Sequence, residues 1–114
     1  MQLINQSTGR LVASQVGLAK TFWQRLKGLL GKKELPPGHG LAITPCYSIH
    51  TCFMRFPIDV VFLNKHGKVL HLIEHMTPWH FSPIIWNAVT VIELPFGSLQ
   101  SSLLKPGDVL IFQK

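Results

Sequence analysis

The sequence predicts a mainly β (or α+β) domain, a single small barrel or sandwich of about seven or eight mostly antiparallel strands with one amphipathic helix packed against it. Three observations predict it. Short runs with strand character recur along the chain, separated by Gly, Pro, Asn and Asp. Only one stretch, about residues 21–30, carries helical spacing. A regular alternation of strands and helices, which would signal a parallel sheet, is absent. With 114 residues, 46% of them apolar and 14% charged, the chain suits one domain, 1–114, that buries roughly two thirds of its unfolded surface.

Met1 to Asn5 and Arg10 to Val16 read as two short strands around the turn formers Gln6-Ser7-Thr8-Gly9. Thr21 suits a helix N-cap and Gly31 a stop. Between them Phe22, Trp23, Leu26, Leu29 and Leu30 fall on one helical face. Arg25 sits beside that face, where its stem either runs along apolar surface and delivers the guanidinium inward or leaves the side chain exposed. Leu35-Pro36-Pro37-Gly38-His39-Gly40 is a loop, since two prolines remove backbone donors, and Leu41 to Thr44 is a short strand.

Two strands are expected next, Ser48 to Met54 and Ile58 to Leu63, joined through Pro57. Alternation puts His50, Cys52 and Met54 on one face of the first. The second is apolar on both faces apart from Asp59, which marks it as central and covered on both sides. Asn64 to Gly67 is a hairpin turn into a strand from Lys68 to Met76. Pro78 to Asn87 is an aromatic-rich loop holding Trp79, Phe81 and Trp86. Ala88 to Leu94 is a strand whose one carboxylate is Glu93. Ser98 to Leu104 reads as a helical turn, Lys105 to Asp108 as a tight turn, and Val109 to Phe112 as the last strand.

Lysines and arginines outnumber acids by 11 to 5, giving a net charge of +6 and a pI near 9.8. They are scattered, with Lys32-Lys33 the only adjacent pair and no interleaved aromatic ladder, which argues for a solvated basic surface and against a nucleic-acid site. No apolar run approaches the roughly 20 residues that span a bilayer, and Met1 to Gly9 holds no basic leader with an apolar run. The expectation is a cytoplasmic protein. Cys46 and Cys52 are then free thiols.

Asp59 and Glu93 carry the functional expectation, because a buried carboxylate without partners costs several kcal/mol. His50, Arg25 and Arg55 are the available cations. Converging, these groups would form a polar pocket suited to acid–base work or to ligand binding. Held apart, the carboxylates would be anchors tying loops to the sheet. Trp79, Phe81 and Trp86 would either floor a ligand groove or cap the core. A soft-metal site from His50, Cys52 and Met54 is disfavoured, since alternate side chains on one strand stand nearly parallel instead of converging. A nucleophile built from Cys52 or Cys46 with His50 suffers from similar geometry. No metal or cofactor is expected.

Gly28-Leu29-Leu30-Gly31, Ser48-Ile49-His50-Thr51, the run from Met54 to Leu63, Pro78-Trp79, Ile92-Glu93-Leu94 with Gly97, and Gly107-Asp108 occur in an order that resembles the domain of unknown function 192 family, a set of small prokaryotic proteins. The resemblance runs from about Thr21 to the C-terminus. It implies a mostly β fold of this size and no established reaction, cofactor or catalytic residue. Many such relatives look exported or lipid-anchored, and the N-terminus here departs from them. The functional reading is a non-enzymatic binding or accessory module, its candidate site His50, Asp59, Glu93, Arg25, Trp79 and Cys52, holding a small anionic ligand or a partner peptide. The alternative is a small hydrolase or transferase with Asp59 or Glu93 as general base beside His50.

Overall fold

Six consecutive residues, Ile58–Leu63, are buried, and a strand with no wet face has to be covered on both sides. The rest of the chain supplies the two covers. In the computed structural model, which describes residues 1–114, the strands are β1 (Gln2–Asn5), β2 (Leu11–Ala13), β3 (Gln15–Ala19), β4 (His39–Ile43), β5 (Ile58–Leu63), β6 (Val69–Met76), β7 (Thr90–Pro95) and β8 (Leu110–Gln113), with helices α1 (Phe22–Lys27) and α2 (Ser98–Ser102). They form a five-stranded sheet in the order β3-β4-β7-β5-β6 and a three-stranded sheet in the order β2-β1-β8. All pairings are antiparallel except β3 with β4.

The register between β5 and β7 decides which face each side chain joins. Val60 lies opposite Glu93 and Asp59 opposite Leu94, so alternation sends the two carboxylates to opposite faces of the sheet. Val61, Leu63, Ile92 and Leu94 pack with Leu3 and Leu110 of the small sheet and Leu99 of α2. Val60, Phe62, Val91 and Ile43 pack with Leu29, Ile49, Met54 and Ala88, which belong to the segment after α1 and to the loops 44–57 and 77–89.

The two sheets do not close on one another, so the sandwich, and not the barrel, describes the chain. The expected strand from Arg10 to Val16 is divided. At Ser14 the chain bends, with the Ser14 and Gln15 amides both donating to the Gly38 carbonyl at 2.8 and 3.0 Å, and β3 crosses into the large sheet.

Ser48 to Met54 is not a strand either. Its only ladder contact is a bridge from His50 to Phe81. Fully buried Thr51 explains why: its hydroxyl donates to the Thr77 carbonyl at 2.6 Å and accepts from the His80 amide at 3.0 Å. A threonine hydroxyl that bonds backbone in this way replaces the ladder with a turn, and Phe53 is left in the left-handed region at φ 66°.

Helix α1 is shorter than its apolar spacing suggests. Thr21 closes a capping box with Gln24, and the helix stops at Gly28. Phe22, Trp23 and Leu26 stay exposed, while Leu29, beyond the helix end, enters the core at 3% exposure.

Candidate functional site

Glu93 is the one buried carboxylate on the sheet face covered by Leu29 and the loops 44–57 and 77–89. It projects from the middle of β7, between Leu41 of β4 and Val60 of β5, and is 3% exposed. Gly28 closes over it. With φ 48° and ψ −124°, Gly28 occupies backbone space that only glycine enters without strain, and a Cβ there would lie 3.7 Å from the Glu93 Oε1. The turn delivers Leu29 to the core and leaves a cavity of about 160 Å³ between α1 and the 45–54 loop.

Arg25, Leu26, Cys46, His50, Met54 and Glu93 are among the residues lining this cavity. Two of these residues each hold a buried polar atom without a hydrogen-bond partner, the Arg25 Nε and the Glu93 Oε1. The Arg25 Nη1 is anchored, donating to the Pro45 carbonyl at 3.1 Å, and this fixes the guanidinium at the cavity wall. Burial pushes the Glu93 carboxyl up to about 7, because an ionised carboxylate in an apolar surrounding loses its hydration. Burial also raises the Cys46 thiol, and the Glu93 carboxylate adds to that effect. Cys46 therefore stays a thiol, donating to the Ser48 carbonyl at 3.1 Å.

The other expected residues lie elsewhere or in different roles. Asp59, 1% exposed, faces the opposite layer. Its Oδ2 accepts the amides of Gly97 at 3.1 Å and Leu99 at 2.9 Å, and its Oδ1 the amide of His75 at 2.9 Å. The pairing of β5 with β6 jumps from Ile58–Met76 to Val60–Ile73, so Glu74 and His75 bulge opposite Asp59. The carboxylate takes up the amide that the bulge releases and caps α2, which has no capping side chain of its own. It is an anchor with both oxygens engaged.

His50 lines the cavity but is exposed, with Nδ1 accepting the Cys52 amide at 3.2 Å. Cys52 is half-buried outside the cavity, and Trp79 stands 60% exposed against the Phe53 ring at 4.5 Å. The site thus brings together Arg25, His50 and Glu93 and leaves out Asp59, Cys52 and Trp79. Nowhere in the chain do three His, Cys, Asp or Glu side chains converge as a metal site would require. Gly28 is the site residue that sequence reasoning passed over, and Cys46, weighed there as a nucleophile, lines the cavity as a thiol instead. The signal for Gly28 was a glycine set inside a helical spacing, directly before Leu29. A second hollow of about 530 Å³ lies on the far side of Gly28 and Leu29, beside Met1, Lys32 and His39, and contains no unpaired buried atom.

The model of the domain of unknown function 192 family, described as an uncharacterized ACR, matches residues 3–112. The chain belongs to this family. The match takes in the N-terminal strands, which the motifs quoted above do not reach. A UPF0127 protein of Thermococcus sibiricus is 33% identical over 93% of this chain and 71% of its own length. A UPF0127 protein of Pyrococcus furiosus is 30% identical over 95% of both chains. The crystal structure of a protein of unknown function from Novosphingobium aromaticivorans superposes with a TM-score of 0.83 at 20% identity, covering 97% of this chain and 82% of that one. The likeness to that structure is one of fold. No helix of the chain is long and apolar enough to cross a membrane.

Proposed function

We propose that this domain is a non-enzymatic binding module whose cavity holds a small carboxylate beside Arg25 and Glu93. The observation that supports this reading is that Arg25 and Glu93 both line the cavity and each keeps a buried polar atom, Nε and Oε1, without a hydrogen-bond partner. Unmade hydrogen bonds of this kind cost about 1–3 kcal/mol each, more for charged groups, and a ligand that completes them recovers that cost. The cavity of about 160 Å³ matches the roughly 150 Å³ that accommodates a benzene-sized molecule, which restricts the ligand to a few heavy atoms.

Charge selects the ligand class. With Glu93 protonated, Arg25 is left as an uncompensated cation and Glu93 becomes a donor, so a carboxylate can accept from both. With Glu93 ionised, the same ligand meets a like charge. Binding therefore takes up a proton, and affinity falls as pH rises through about 7.

The test is calorimetric titration with acetate, butyrate and benzoate in buffers of different ionisation heat, on either side of neutrality. Proton uptake with tighter binding on the acid side is expected, and Arg25→Leu abolishes it. Failure of all three acids to bind at millimolar concentration, or binding without proton uptake, refutes the reading. The raised Glu93 carboxyl also suits general acid–base work, so a small hydrolase or transferase is the second reading. For that reaction Glu93 is the candidate base, because Asp59 has both oxygens occupied by backbone amides.

A further inference from the structure

The layer that covers the Glu93 face of the large sheet is unusual at its outer surface. It exposes Phe22 (62%), Trp23 (73%), Phe53 (70%), Phe81 (77%) and Trp86 (79%), together with Tyr47, Trp79, Leu26 and Ile84. All three tryptophans of the chain are among them. These side chains form one neighbourhood. Arg25 of α1 is bonded to Pro45, and Tyr47 stacks on Trp86, His50 lies against Phe81 and Phe53 against Trp79. Large apolar side chains exposed together on one layer mark a surface that meets something.

The charge around it says what. Asp59, Glu93 and Asp108 are buried, so Glu34 and Glu74 are the only acidic side chains in solvent. Every lysine and arginine apart from half-buried Arg25 is exposed. Lys20, Lys27, Lys32 and Lys33 flank α1, and Arg55 follows Phe53. No Asp or Glu occurs at positions 20–33, 35–58 or 77–92. Protruding aromatic side chains with cations on the α1 side and at Arg55, and no acid among them, suit the headgroup region of a bilayer, where the rings enter the acyl boundary and the cations stay with the lipid phosphates.

We propose that this layer docks the protein on an anionic membrane surface. A single-stranded nucleic acid would also meet cations and aromatic rings, but it stacks bases on open ring faces. Here Tyr47 and Trp86 are stacked on each other, and the exposed Leu26 and Ile84 offer a base no ring. This docking surface is separate from the carboxylate cavity and does not depend on its having a ligand.

The placement of the tryptophans makes the proposal directly readable. The whole chain is titrated with vesicles of neutral phosphatidylcholine alone and with vesicles containing phosphatidylglycerol, following tryptophan emission, with single-stranded polyuridylate as the competing probe. A shift to shorter wavelength with the anionic vesicles, weakened by salt, is expected. Lys27→Gln should weaken it about fivefold, the equivalent of about 1 kcal/mol per cation near the surface. Phe22→Ser with Trp23→Ser, both at exposed positions that leave the core untouched, should abolish most of it. Absence of vesicle binding at low salt overturns the proposal, as does vesicle binding with unchanged emission. Saturable quenching by polyuridylate with vesicles inert overturns it in favour of nucleic acid.

Discussion

Replacing Glu93 by glutamine removes a titratable group from the interior while keeping its shape, and its effect on stability can be worked from the structure. Burial moves the carboxyl from 4.5 to about 7, a difference that corresponds to about 3 kcal/mol at about 1.4 kcal/mol per pH unit. Between those two values the folded protein holds a proton that the unfolded chain has released, so stability falls as pH rises. The full contribution is present below about 4.5 and is gone above about 7. Urea unfolding of both proteins in steps from about pH 4.5 to about pH 8, taken as variant minus wild type, cancels the titration of the histidines common to both. The difference should climb by up to about 3 kcal/mol toward alkaline pH, added to a constant offset from the amide. A flat difference curve, or one that slopes the other way, would show that Glu93 is hydrated or paired and would refute the argument for an unsatisfied site.

Asp59→Asn keeps one acceptor oxygen but turns an amide NH₂ toward backbone donors that include His75 or Leu99; a loss of about 2–4 kcal/mol in urea unfolding is expected, and a loss under about 1 kcal/mol would contradict its role as anchor. Thr51→Val removes the hydroxyl that joins the Thr77 carbonyl to the His80 amide, so about 2 kcal/mol should be lost and amide exchange in residues 77–81 should quicken while the β5 amides stay protected. Gly67→Ala places a Cβ 2.5 Å from the Leu110 carbonyl oxygen at φ +79°, so β8 has to move. A melting temperature unchanged by that substitution would contradict the packing of this turn against the last strand.

Much of the fold was legible in residue patterns. The unbroken apolar run of β5 announced a central strand covered on both sides, and it is buried from end to end. Asn64 to Gly67 predicted the turn between β5 and β6, where the Asn64 Oδ1 accepts the His66 and Lys68 amides. Ser48 to Met54 misled, because alternating side chains describe a possible strand but say nothing of Thr51 finding better partners in a loop about thirty residues away. The helical spacing of Phe22, Trp23 and Leu26 implied burial that did not occur, since the cover over Glu93 is made by Leu29 after the helix has ended.

What composition and order determined on their own was that two carboxylates would lie deep in apolar strands and would need compensation, since the cost of burying charge does not depend on the partner. Their separation was decided in three dimensions. A register of one residue between β5 and β7 sends Asp59 to the amides of α2 and of the β6 bulge, and Glu93 to a cavity where neither its Oε1 nor the Arg25 Nε is satisfied. Register is a property of pairing between strands distant in sequence, set by how both faces fill at once, so no reading of either strand alone could assign one acid to structure and the other to the site.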